Sequence, residues 1–86
     1  MMPVEEAREN LAWALHHEDV NFEGEIGDGF CGSTAWPARF TRGDRVCTVA
    51  IPVEWLDDCS PSTDYLPPPL RSLLRFAVPD YLNEAL

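Results

Sequence analysis

The sequence predicts an α+β fold in which a three-stranded antiparallel meander packs against an N-terminal helix and C-terminal helices. Three observations carry that expectation. Apolar residues recur at helical spacing over residues 3–17, and they alternate with polar residues between Val20 and Ile51 around glycine-bearing turns. Helical spacing then returns at Leu70, beyond a proline-rich loop.

Val4, Ala7, Leu11, Ala14 and Leu15 fall at steps of three and four residues and form one apolar stripe, so a helix is expected from Pro3 to His17. Pro3 suits a first helical turn. Glu5 and Glu6 complement the positive end of the helix dipole, and His16 and His17 sit at its negative end. Next, Val20, Phe22, Gly24 and Ile26 alternate with Asn21, Glu23 and Glu25, which reads as a half-buried strand with an acidic outer face. Asp28-Gly29 is a two-residue hairpin signal. The second strand is expected from Phe30 to Thr41, with Trp36, Ala38 and Phe40 on one face. Pro37 lacks a ladder donor, which predicts a bulge or bend. The part before it would then pair with the first strand and the part after it with the third. Arg42-Gly43-Asp44 has the composition of a tight turn, and the third strand follows over Arg45–Ile51.

Beyond Pro52, Val53–Asp58 reads as a short helical turn with Trp55 and Leu56 facing inward. Cys59–Pro69 is a loop ending in three prolines that favour extended backbone. Leu70–Ala77 reads as a helix burying Leu70, Leu73, Leu74 and Ala77. Val78-Pro79 is expected to break it, with Pro79 opening a last short helix to Leu86. The expected core comprises Leu11, Leu15, Phe22, Trp36, Phe40, Val49, Leu73, Leu74 and Phe76.

A chain of 86 residues with no internal repeat supports one core, hence a single domain over residues 1–86. A hydrophobic content of 45%, with three Trp, four Phe and two Tyr, excludes a disordered acidic chain. The formal charge is −9, and its distribution is uneven: −7 over residues 1–29, +2 over 30–52 and −4 over 53–86. Gripping nucleic acid phosphates or an anionic membrane needs clustered cations, so direct binding to either is not expected. No apolar run approaches the roughly 20 residues that span a bilayer. The odd set Cys31, Cys47 and Cys59 has no disulfide-framework spacing, and Met1–Glu6 shows neither a basic nor an apolar leader segment. Both features predict a cytoplasmic protein with reduced thiols.

Several motifs match known patterns only by letter. Gly27-Asp28-Gly29-Phe30-Cys31-Gly32 fits the dinucleotide glycine pattern, yet strand-like residues and a proline follow where a helix is required, and Asp28 repels phosphate. Arg42-Gly43-Asp44 is explained by its turn. His16, His17, Cys31, Cys47 and Cys59 lack the close pairing that structural zinc sites use. No catalytic, metal-binding or cofactor-binding residue is assigned, and no cofactor is expected.

The acidity directs the functional expectation. A rigid array of carboxylates can imitate phosphates and steer association with a cationic groove. The sequence therefore predicts a small acidic binding module that inhibits or neutralises a basic protein or nucleoprotein complex. Suitable targets are a nucleic-acid-handling enzyme or a toxin, as for phage anti-defence and anti-CRISPR proteins or immunity proteins. The expected partner-binding residues are Glu5, Glu6, Glu9, Glu18, Asp19, Glu23 and Glu25, extended by Asp57 and Asp58, on a monomer or homodimer. Two alternatives make different demands. A small enzyme or ligand binder would use Cys31 with His16 or His17 in a pocket. An accessory or assembly subunit would dock through an exposed apolar patch. Acidity spread evenly over the surface would instead indicate solubility or adaptation to high salt.

Overall fold

Helix α1 (Val4–Glu18) buries Ala7, Leu11 and Ala14, the inner part of the expected stripe. In the computed structural model, which describes residues 3–18, 21–27 and 34–84, this helix lies against an antiparallel sheet of order β1-β2-β3. The strands are β1 (Glu23–Ile26), β2 (Ala35–Arg42) and β3 (Arg45–Pro52). Three helical segments follow: α2 (Val53–Asp58), α3 (Pro68–Ser72) and α4 (Val78–Glu84), the last two joined by a π-helical turn over Leu73–Ala77. This is the expected α+β arrangement, with helices on one side of a meander.

The β2–β3 hairpin turns through Gly43 and Asp44, with Arg42 and Arg45 as the last paired residues. Gly43 takes φ 62° at the first central position, where a two-residue hairpin of type II′ places glycine. Along this hairpin Trp36, Ala38, Phe40 and Ile51 point into the core. Strict alternation then turns Arg39, Val46, Thr48 and Ala50 to solvent.

The β1–β2 connection departs from expectation. Ile26 pairs with Ala38 and Glu23 with Thr41, and the Gly27 N–H donates to the Pro37 carbonyl at 2.8 Å. A two-residue turn at Asp28-Gly29 would instead set Ile26 opposite Cys31. The observed register places the apolar Ile26 and Gly24 beside Ala38 and Phe40 on the core face, and a buried face decides register. Residues 28–33, where the turn was expected, lie outside the described residues. All of β2 pairs with β3, and only the part after Pro37 also meets β1, which reverses the expected division.

Nor does Pro37 cause a bulge, because pairing with β3 runs unbroken from Ala35 to Arg42. Its backbone faces β1 where that strand ends, so the missing N–H forfeits one hydrogen bond at the sheet margin.

The second departure is at the C-terminus, where Val78-Pro79 does not break the helix. Pro79 has no N–H to offer the preceding turn. The turn before it is widened so that the Val78 N–H reaches the Leu73 carbonyl, five residues back, and the chain passes into α4 without stopping. Leu70, Leu74, Val78 and Leu82 are all fully buried. Steps of four residues advance roughly 400° in a regular α-helix, so such a stripe would drift around the axis without a wider turn. Phe76 lies two residues from both Leu74 and Val78, roughly 200° around the helix, and is 69% exposed. It is therefore not part of the core. Leu15, Phe22, Val49 and Leu73 are half-buried against the core, while Leu11, Trp36, Phe40 and Leu74 lie within it.

Candidate functional site

Most of the exposed acid of α1 and α2 gathers at one end of the molecule. The stripe that buries Ala7, Leu11 and Ala14 leaves Glu5, Glu6 and Glu9 on the solvent side of α1. Helix α2 then docks beside them. Leu56 is fully buried, and the Asn10 side-chain amide donates to the Leu56 carbonyl at 2.8 Å. That carbonyl is among the last of a short helix and has no partner within it, so a buried donor from α1 satisfies it. The Cys59 thiol donates to the Asn10 carbonyl at 3.5 Å, closing the contact from the other side.

This docking brings Asp57 to the rim of a depression of about 520 Å³ that Glu5, Glu6 and Glu9 also line. Ser60, Pro61 and Ser62 complete the rim. Their loop is closed by a pair of backbone hydrogen bonds between Ser60 and Tyr65, at 3.1 and 3.2 Å. Asn10 and Cys59 are also among the lining residues. Burial pushes the Cys59 thiol up to about 11, so it remains a neutral thiol.

Among the described residues, no arginine lines this depression. Arg8, the one Arg of α1, donates to the Ile26 carbonyl at 3.1 Å. Arg71 and Arg75 reach Glu18 at 2.7 and 3.1 Å, one on each carboxylate oxygen. Arg45 donates to the carbonyls of Leu82 and Asn83 at the end of α4, and Arg39 and Arg42 belong to β2. Among the described residues, none of Glu5, Glu6, Glu9 and Asp57 has an ion-pair partner.

The nine residues expected to form one acidic face are thus divided. Glu5, Glu6, Glu9 and Asp57 converge, and Asp58 is exposed next to them on α2. Glu18 is withdrawn: its side chain is 6% exposed and joins α1 to the C-terminal helices through Arg71 and Arg75. Glu23 and Glu25 belong to a different face. Gly24 between them points toward Leu15 of α1, so they project from the opposite side of the sheet, where Glu25 stands beside Arg39. Asp19 lies outside the described residues. Sequence reasoning missed Glu54, which is exposed on α2 and lines a second hollow together with Asp57. No periodicity marks it, because α2 is too short to show one.

Cys31, the nucleophile of the enzymatic alternative, also lies outside the described residues. His17 packs against Trp13 with ring centroids 5.0 Å apart and meets Asp64 at 3.4 Å, while His16 is exposed. Burial also raises the Cys47 thiol. Among the described residues no three His, Cys, Asp or Glu side chains converge as metal ligands, and no helix is long and apolar enough to cross a membrane.

Apolar side chains are exposed elsewhere. Phe76 shares a shallow hollow of about 400 Å³ with Trp55, Pro69, Leu73 and Ala77, a surface that the expected helix phase would have buried. Comparison with protein families, curated proteins and solved structures finds no match to the chain.

Proposed function

We propose that this chain is a small acidic binding protein of the cytoplasm that occupies the cationic surface of a basic partner and so inhibits or neutralises it. The partner is a nucleic-acid-handling enzyme or complex, or a toxin. The observation that carries the reading is segregation of charge. Glu5, Glu6, Glu9 and Asp57 surround one depression with no cation in ion-pair reach among the described residues, while the arginines are engaged or placed elsewhere. Acidity that served only solubility would have no reason to collect in this way.

The geometry suits the role. Glu5 and Glu9 are four residues apart on α1, hence on one side of the helix and about 6 Å apart along its axis. Buried contacts from Asn10 and Cys59 hold α2 against α1, so the carboxylates are presented on a rigid base. Little side-chain and backbone freedom is then lost on binding, and long-range attraction speeds encounter with a cationic groove.

The test is affinity capture from source-cell lysate at low and moderate salt with three baits. These are the wild type, a variant carrying Glu5→Gln, Glu6→Gln, Glu9→Gln and Asp57→Asn, and a variant carrying Glu23→Gln and Glu25→Gln. A basic protein held by the first and third baits but not the second is the expected result. Equal loss from both variants would overturn the single-face assignment, and capture of no basic protein would overturn the proposal.

A second reading, an accessory subunit docking through an apolar surface, draws support from the hollow around Phe76. It requires a partner retained by the four-acid variant and lost on Phe76→Ser.

A further inference from the structure

We propose that two copies of this chain associate through the free edge of β3, pairing antiparallel about a two-fold axis at Thr48 to give a continuous six-stranded sheet. Two hydrogen bonds fix which backbone groups that edge presents. The Gly27 N–H donates to the Pro37 carbonyl, and the Val53 N–H donates to the Thr34 carbonyl, each at 2.8 Å. Residues of an antiparallel strand direct their N–H and C=O alternately to one neighbour and then the other. Odd-numbered residues of β2 therefore face β1, even-numbered ones face β3, and the odd-numbered residues of β3 answer them. Val46, Thr48 and Ala50 are left with their N–H and C=O groups pointing away from the sheet. Among the described residues, no backbone group bonds to them.

Native edge strands are ordinarily blunted by charge, proline, a bulge or short length. This one spans eight residues, pairs without interruption, and carries neither charge nor proline from Val46 to Ile51. Its exposed side chains, Val46, Thr48 and Ala50, are small enough to let another strand approach.

The strand is also complementary to itself. Antiparallel pairing at Thr48 sets Val46 beside Ala50 of the second copy and Thr48 beside Thr48, a favourable cross-strand pair, with about six new backbone hydrogen bonds. Charge selects the same orientation. The hairpin that begins β3 carries Arg42 and Arg45 against Asp44, whereas its far end runs into α2 with Glu54, Asp57 and Asp58. Antiparallel pairing brings the basic end of each copy to the acidic end of the other. Parallel pairing would set like against like.

The mass in solution is measured by light scattering on the wild type and on Thr48→Pro. The Thr48 N–H points outward, so proline removes an edge donor without breaking the β2–β3 ladder. The expected result is twice the chain mass for wild type and a monomer with an unchanged circular dichroism spectrum for Thr48→Pro. A register test stands even where that variant fails to fold. Thr48→Cys faces its own copy at about 5.5 Å between Cα atoms, within disulfide reach, and oxidises to a covalent dimer. Val46→Cys lies at least about 13 Å from its own copy along the strand and does not. A monomeric wild type, a dimer that persists in Thr48→Pro, or equal cross-linking of the two cysteine variants would each overturn the proposal.

Discussion

The Cδ1 atom of Leu15 lies only 2.6 Å from where a side chain on Gly24 would begin. Here α1 packs directly against β1, and the contact explains a glycine in the middle of a strand. Leu15 ends in a methyl group that can rotate away, but the Phe40 ring on the other side, at 2.9 Å, cannot. Phe40 is fully buried and meets Phe22 edge-on with centroids 5.5 Å apart. Gly24→Ala is therefore expected to cost about 1–3 kcal/mol through overpacking, despite the better strand propensity of Ala. Urea denaturation measures it, and an unchanged midpoint would show that α1 can lift from the sheet at no cost.

Glu18 and the Glu5, Glu6 and Glu9 group carry the same charge with different consequences for folding. Glu18 accepts a hydrogen bond from Arg71 and forms an ion pair with Arg75, and both guanidinium groups are about half-exposed, so its removal strands neither arginine in the interior. Glu18→Ala should cost about 1.5–3 kcal/mol, the range for hydrogen bonds to charged groups. Glu5→Gln, Glu6→Gln and Glu9→Gln should each stay within about 0.5 kcal/mol of wild type, because these side chains are exposed and have no ion-pair partner among the described residues. Thermal denaturation of the single variants checks the contrast. Equal effects at Glu18 and Glu9 would deny Glu18 its role as a tether.

Cys59 ties stability to alkaline pH. The ordinary value of its thiol, 9.0, rises to about 11 in the folded chain because burial disfavours the thiolate. Above pH 9 the unfolded chain releases this proton while the folded chain keeps it, so stability falls as pH rises from 9 to 11 and is unaffected below. The urea midpoint of wild type should decline over that window more steeply than that of Cys59→Ala. Parallel slopes would mean that the thiolate is tolerated in place. In the native protein at pH 8, Cys59 should also resist a thiol reagent that labels it at once after unfolding.

What could be read from the sequence followed local chemistry. The α1 stripe, the Gly43 turn, the β2–β3 alternation and α2 were all visible, because each depends on neighbours a few residues apart. The β1–β2 register was not. It is set by matching Ile26 and Gly24 to Ala38 and Phe40 across the sheet, and the local hairpin signal at Asp28-Gly29 did not determine it. The acidic site was legible in part for the same reason. Glu5, Glu6 and Glu9 share a helix face that spacing alone reveals. The burial of Glu18 depends on Arg71, 53 residues away in the chain, and the removal of Glu23 and Glu25 to another face depends on which side of β1 receives α1.

The π-helical turn gives the last test, since the phase of the C-terminal helix decides which large side chains stabilise the fold. Leu74 is fully buried and Phe76 is 69% exposed, although both large apolar side chains were expected in the core. Leu74→Ala should then cost about 2–5 kcal/mol by opening a cavity. Phe76→Ala, which removes a larger side chain, should shift stability by no more than about 0.5 kcal/mol. Replacing Pro79 by Ala restores an N–H that can donate four residues back and removes the reason for the wide turn. If the turn then narrows, everything beyond it rotates relative to the Leu70 and Leu74 stripe and Val78 and Leu82 leave the core, so the gain in helix propensity is offset. Denaturation of Leu82→Ala in the wild-type chain and in the Pro79→Ala background measures this coupling, because Leu82 is fully buried beyond the wide turn. If Leu82→Ala costs less in the Pro79→Ala background, proline holds the helix phase; equal costs would show that it does not. If Phe76→Ala costs as much as Leu74→Ala in the wild-type chain, Phe76 belongs to the core after all.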